Sequence, residues 1–158
     1  MKGSINNRAS RGIGECCAKL FAEHRAKVVI ADIKDQLDQA VFATYEKLDI
    51  MFNNAGVLAD TSKPRIMDME KKDIECVLGV NVIGTFSCIK HAARVMVPRK
   101  AGSIISTSSL TSHLGGMATH GYSCSKHAII GLTRNLAVEL GQFGIRVNSV
   151  SPFGIVHQ

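Results

Sequence analysis

Apolar positions at Ile13, Cys17, Leu20 and Phe21 recur every three to four residues, which predicts an amphipathic helix over residues 12–24. The run Lys27-Val-Val-Ile-Ala-Asp32 reads as a short buried strand ending in an acid. Residues 34–46 read as a short polar helix, and Leu48-Asp-Ile-Met-Phe52 as a second buried strand. A helical stretch runs from Asp68 to about Val97, closed by Pro98. Ser103 to Ser106 forms a third strand, and Tyr122 to Gln142 another helix with Gly144 just past its end. Arg146 to Ser151 is the last strand. Strands alternating with helices predict an α/β fold, a doubly wound and mostly parallel sheet covered on both faces. The chain of 158 residues is one domain, with no internal repeat and no low-complexity linker.

Composition narrows the class. A hydrophobic share of 46% supplies a core, and 20% charged residues excludes a disordered chain. The net charge of +6 is scattered over several elements. Its densest stretch, Lys90-His91 to Arg99-Lys100, lies at a helix end, where cations are favoured. With 5% aromatics there is no stacking series for bases, so no nucleic-acid partner is expected. The same charge would attract an anionic dinucleotide. No apolar run approaches the length of a bilayer span, so no membrane partner is expected. The amino terminus lacks the apolar stretch of a secretion signal. The cysteines at 16, 17, 76, 88 and 124 are odd in number and make no C-x-x-C pair. They read as small buried residues of a reducing compartment, the cytoplasm. His113, His120 and His127 are spaced by seven, but no carboxylate or cysteine completes a metal set, so no metal is expected.

The chemistry sits in Gly-Tyr-Ser-Cys-Ser-Lys (121–126). On a helix, Tyr122 and Lys126 share one face, one turn apart. A phenol titrates near pH 10 and is a poor base at neutral pH. A fixed positive charge beside it favours the phenolate. A tyrosine so tuned moves a proton to or from a carbinol oxygen, and a serine hydroxyl from another strand holds that oxygen. Alone, this spacing is usually an exposed aromatic beside a solvated lysine. Here Ser109 ends the strand Gly-Ser-Ile-Ile-Ser-Thr-Ser-Ser (102–109), thirteen residues before the tyrosine. Asn-Asn-Ala-Gly (53–56) and Val-Asn-Val-Ile-Gly (80–84) stand upstream. In order and spacing these motifs resemble the short-chain dehydrogenase/reductase family. The wording Lys-Leu-Asp-Ile-Met-Phe-Asn-Asn-Ala-Gly and Val-Ser-Pro-Phe-Gly is similar to the plant branch acting on terpenoid, lignan and related alcohols.

The resemblance implies a Rossmann-like fold, NAD as cofactor and a secondary alcohol or ketone as substrate. Tyr122 becomes the acid/base, with Lys126 lowering its pKa and holding the nicotinamide ribose. Ser109 orients the substrate oxygen, with Ser108 as the competing candidate. Asn81 holds a water that links the lysine to solvent. Gly12, Ile13 and Gly14 match the end of the glycine-rich phosphate turn, where Gly12 admits the pyrophosphate and Gly14 packs the helix on the sheet. Arg8 replaces that turn's first glycine. Asp32 accepts hydrogen bonds from the adenosine ribose and repels a 2′-phosphate, favouring NAD. Asn53, Ala55 and Gly56 line the adenosine side, and Pro152 and Gly154 the loop over the nicotinamide. His157 stands where the family often has threonine. The helices 68–97 and 122–142 correspond to those that pack between subunits, implying a homo-oligomer.

Three departures shape the expectations. The first strand has one branched apolar residue and should be weak. Only 20 residues separate Asp32 from Asn53, room for one helix, so the family's third strand should be missing. The chain also stops after the sixth family strand, which reads as truncation of the carboxyl-terminal elements. The alternative to an enzyme is therefore a non-catalytic remnant acting through association.

Overall fold

The structure, a computed structural model, describes residues 3–7, 12–31, 47–58, 61–62 and 65–153. Five short segments form β1 (Gly3–Asn7), β2 (Lys27–Ala31), β3 (Ile50–Asn53), β4 (Gly102–Thr107) and β5 (Ile145–Val150). All pair in parallel, in the order β2-β1-β3-β4-β5. The expected weak first strand is short but central. It pairs with β2 over five positions and with β3 over three. Backbone ladders on both sides hold it, where side-chain propensity alone would not.

The helices are α1 (Ile13–Glu23), α2 (Lys71–Leu78), α3 (Thr85–Met96) and α4 (His120–Gly141). From β1 to β2 the chain moves one way across the sheet, and from β3 through β5 the other way. Right-handed crossovers then place α1 on one face and α3 and α4 on the opposite face. The reversal lies between β1 and β3, so the crevice for a ligand opens beyond the carboxyl ends of those strands. The helix expected over 34–46, with no strand there, lies outside the described residues.

The helix expected over 68–97 is not uniform. A π-helical segment, Gly79–Gly84, joins α2 to α3. Val77, Asn81, Thr85 and Ile89 face inward in steps of four, followed by Ala92 and Met96. In a regular α-helix, steps of four drift around the axis. The wider π turn takes up the drift and returns these residues to the core. By length and composition alone, the run Lys71–Arg99 could cross a membrane, which corrects the expectation that no stretch approaches that length. The expectation sought an unbroken apolar run, whereas this stretch averages apolar residues with glycine, asparagine and threonine. Its inward face belongs to the protein core.

That core is built from Leu48, Met51, Ile89, Ala92, Met96, Ile104, Leu140, Ile145 and Val147. β5 enters it through a turn at Gly144, where φ is +72° and an added Cβ would meet the Lys100 carbonyl oxygen at 2.7 Å. Both features require glycine. The cysteines differ from expectation. None of the five is in a disulfide, but Cys16, Cys76 and Cys124 are exposed, because they fall on outward faces of their helices.

Candidate active site

The carboxyl ends of β3, β4 and β5 and the start of α1 surround one cavity of about 450 Å³. Ile13 comes from the start of α1, and Asn54, Gly56, Val57 and Leu58 from the segment after β3. Thr107, Ser108 and Ser109 come from the end of β4, Tyr122 and Lys126 from α4, and Pro152 and Phe153 from the segment after β5. The polar groups thus sit between apolar walls. Leu58 and Phe153 form part of those walls while remaining largely exposed.

Lys126 is 3% exposed and donates from Nζ to the Thr107 carbonyl at 2.7 Å. Its ammonium lies 5.5 Å from the centre of the Tyr122 ring, so the two share a helix face as the spacing predicts. Burial pushes the Lys126 amine down from 10.5 to about 8. Ser109 is extended at φ −163°, and its Oγ accepts the Thr111 N–H at 3.3 Å. That leaves its O–H to donate to another oxygen. Ser108 is differently engaged. It is 1% exposed, and its Oγ donates to the Lys126 carbonyl at 3.0 Å. Of the two serines, Ser109 has the hydroxyl proton less committed.

Asn81 lies behind the cavity and does not line it. Its Nδ2 donates to the Val57 carbonyl and to Ser125 Oγ, each at 3.0 Å. Its Oδ1 accepts the Val57 N–H at 2.8 Å. Both amide hydrogens are therefore used inside the protein, and the side chain ties the wall after β3 to α4.

Of the other predicted residues, Ile13, Gly56 and Pro152 line the cavity, while Gly12, Gly14, Asn53 and Ala55 do not line it and are next to lining residues in sequence. Gly12 holds φ +66°, a conformation that favours glycine, and its carbonyl accepts the Cys16 N–H at the start of α1. Asn53 is buried, and its Nδ2 donates to Ser106 Oγ at 3.2 Å. Asp32 and Gly154, like Arg8 and His157, lie outside the described residues. The sequence reading passed over Asn54, Val57, Thr107 and Ser125. Asn54 Oδ1 accepts the Thr107 hydroxyl at 3.3 Å. Thr107 anchors Lys126 through its backbone, which leaves no mark in the sequence. Ser125 is adjacent to the lysine, and that adjacency was the available signal. Among the described residues, no group of three or more His, Cys, Asp or Glu is placed to hold a metal ion.

Comparisons with known proteins bear on the family and the fold. Secoisolariciresinol dehydrogenase of Forsythia intermedia is 53% identical over 98% of this chain and 66% of its own length. Borneol dehydrogenase of Lavandula x intermedia is 45% identical over 96% of this chain and 68% of its own length. The chain thus spans about two thirds of the length of these relatives. The first alignment has 183 positions against a chain of 158 residues, so the relative has residues inside the matched span that this chain lacks. Among solved structures, ElxO with NADP bound superimposes with a TM-score of 0.89 at 26% identity, covering 96% of this chain and 73% of that one. The family model described as short chain dehydrogenase matches residues 32–157, and the chain belongs to that family of oxidoreductases.

Proposed function

We infer that this chain is an NAD-dependent oxidoreductase that interconverts a secondary alcohol and a ketone. The observation that supports this most is the joint placement of Ser109, Tyr122 and Lys126 on one cavity, with the lysine amine buried and held by Thr107. The relatives named as dehydrogenases of secoisolariciresinol and of borneol support the same chemistry.

The residues present fit a nicotinamide dinucleotide. Lys126 has three N–H donors and gives one to Thr107, leaving two for ribose hydroxyls. Gly12 keeps the start of α1 free of a side chain, where backbone N–H groups favour phosphate. When bound, the nicotinamide supplies the hydride acceptor or donor. Ser109 holds the substrate oxygen by donating to it. Tyr122 takes the proton from that oxygen in oxidation and returns it in reduction. Lys126 holds the positive charge beside the phenol.

The choice of NAD rests on Asp32, whose carboxylate repels a 2′-phosphate. ElxO has NADP bound, so this fold accepts that cofactor too. A fluorescence titration tests the reading. NADH should bind about tenfold or more tightly than NADPH, and Asp32→Ala should erase the difference. Binding of neither dinucleotide by the wild-type chain would end the proposal, and discrimination unchanged in Asp32→Ala would remove Asp32 from the ribose.

The helices also favour a homo-oligomer. Cys76, Gly79, Ile83 and Phe86 form an outward stripe on the run from α2 to α3, with Ile83 64% exposed. Cys124, Gly131 and Val138 form another on α4, with Val138 73% exposed. A Cβ at Gly79 or Gly131 would meet nothing within 4 Å, so a neighbouring helix could approach closely. Light scattering should give at least twice the monomer mass, and a monodisperse monomer would remove this part. The thiols, none in a disulfide, are compatible with a reducing compartment such as the cytoplasm.

A further inference from the structure

Ser125 touches neither the cavity nor solvent, yet it sits where two parts of the site meet. It is 0% exposed. Its hydroxyl donates to the Tyr122 carbonyl at 2.7 Å, and its Oγ accepts Asn81 Nδ2 at 3.0 Å. The same amide group donates to the Val57 carbonyl, and Asn81 Oδ1 accepts the Val57 N–H. A continuous chain of hydrogen bonds therefore runs from the cavity wall at Val57, through Asn81 on the π segment, to the first two turns of α4. Those turns bear Tyr122 and Lys126. A Cβ placed on Gly56 would lie 3.5 Å from both Asn81 Oδ1 and Lys126 Nζ, which shows how closely the wall, the amide and the lysine are packed.

We propose that Ser125 is a positioning residue: with Asn81 it locks the Tyr122–Lys126 turn to the Val57 wall, and so sets where the two side chains stand in the cavity. This rests on the functional reading above. The assignment follows from saturation. Asn81 has two amide hydrogens, both donated inside the protein, and Ser125 has one hydroxyl hydrogen, donated to Tyr122. Removing the Ser125 hydroxyl leaves the buried Asn81 N–H short of a partner, while the Tyr122 carbonyl keeps only its bond within the helix. The cheapest repair is a shift of the turn or entry of water behind it. Either change reaches Lys126, which is 3% exposed and packed close to the Asn81 amide. Lys126 is also fixed from the strand side, by Thr107 at its amine and Ser108 at its carbonyl. The loss of Ser125 should therefore loosen the site without dismantling it.

A double-mutant cycle over Ser125→Ala and Asn81→Ala tests this with two readouts. Nitrogen NMR of lysine-labelled protein, with the Lys126 signal assigned by its loss in Lys126→Met, follows the amine without cofactor or substrate. In Ser125→Ala the Lys126 titration midpoint should rise by about one pH unit as water reaches the amine. Steady-state oxidation of a secondary alcohol with NAD should show kcat lower by about tenfold, with the alcohol KM within about twofold. Adding Asn81→Ala to Ser125→Ala should change either readout by less than about twofold, because both cut one chain of bonds. Ser125→Cys keeps the shape and a weak donor, should give smaller changes, and keeps the test open if Ser125→Ala does not fold. A folded Ser125→Ala chain with Lys126 titration unmoved, or two substitutions whose effects simply multiply, would overturn the proposal. Should the wild-type chain neither bind dinucleotide nor turn over, the functional reading fails, and the NMR arm still decides the role of Ser125.

Discussion

Tyr122→Phe is expected to lower kcat by about 10²–10⁴-fold, the usual contribution of a positioned acid/base group. The substitution removes one oxygen from a half-buried ring and keeps the ring's contact with Lys126. Stability and NADH affinity should therefore stay close to wild type. This pairing matters, because a general loss of folding would lower both. Steady-state kinetics with NAD and a secondary alcohol, beside an NADH titration of the same preparation, checks the expectation. Retention of more than a tenth of the wild-type kcat would show that the proton leaves by another group.

The second large effect concerns Lys126 and stability. Its amine is depressed from 10.5 to about 8 by burial, and among the described residues no carboxylate pairs with it. Below pH 8 both folded and unfolded chains hold the proton, and the folded state bears the full cost of a buried ammonium. Between pH 8 and 10.5 the unfolded chain keeps a proton that the folded chain has released. Stability therefore rises with pH across this window. Above 10.5 both forms are neutral and the contribution levels off. At about 1.4 kcal/mol for each tenfold change, the rise is about 3 kcal/mol. Lys126→Met removes the titration, at the constant cost of the bond to the Thr107 carbonyl. The difference in unfolding free energy between wild type and Lys126→Met should thus change by about 3 kcal/mol from pH 7 to pH 11. Urea denaturation at a series of pH values measures it, and parallel curves would contradict the burial of a protonated amine. The site thus holds a charge that the fold alone would be more stable without, as expected where a group is kept for chemistry.

The local pattern determined the element order. Strands at 27–32, 48–52, 103–106 and 146–151 and helices at 12–24 and 122–142 were legible because burial on a sheet or on one helix face imposes periods of two and 3.6 on side chains. Each observed element agrees within two residues. The pairing of Tyr122 with Lys126 was legible for the same reason, since four residues on a helix fix two side chains on one face. The central place of β1 was not, because its hold comes from two neighbouring backbones distant in sequence. The π segment at Gly79–Gly84 was hidden too. Its sequence is compatible with a plain helix, and the need to turn Asn81 and Thr85 inward arises only once a core lies beside them. Tertiary structure also decided what Asn81 touches: Val57 lies 24 residues away and Ser125 lies 44. The residue types at the site could be read from the chain alone. Their hydrogen-bond partners could not, because a buried amide or amine is satisfied by whichever backbone and hydroxyl groups the folded sheet brings to it.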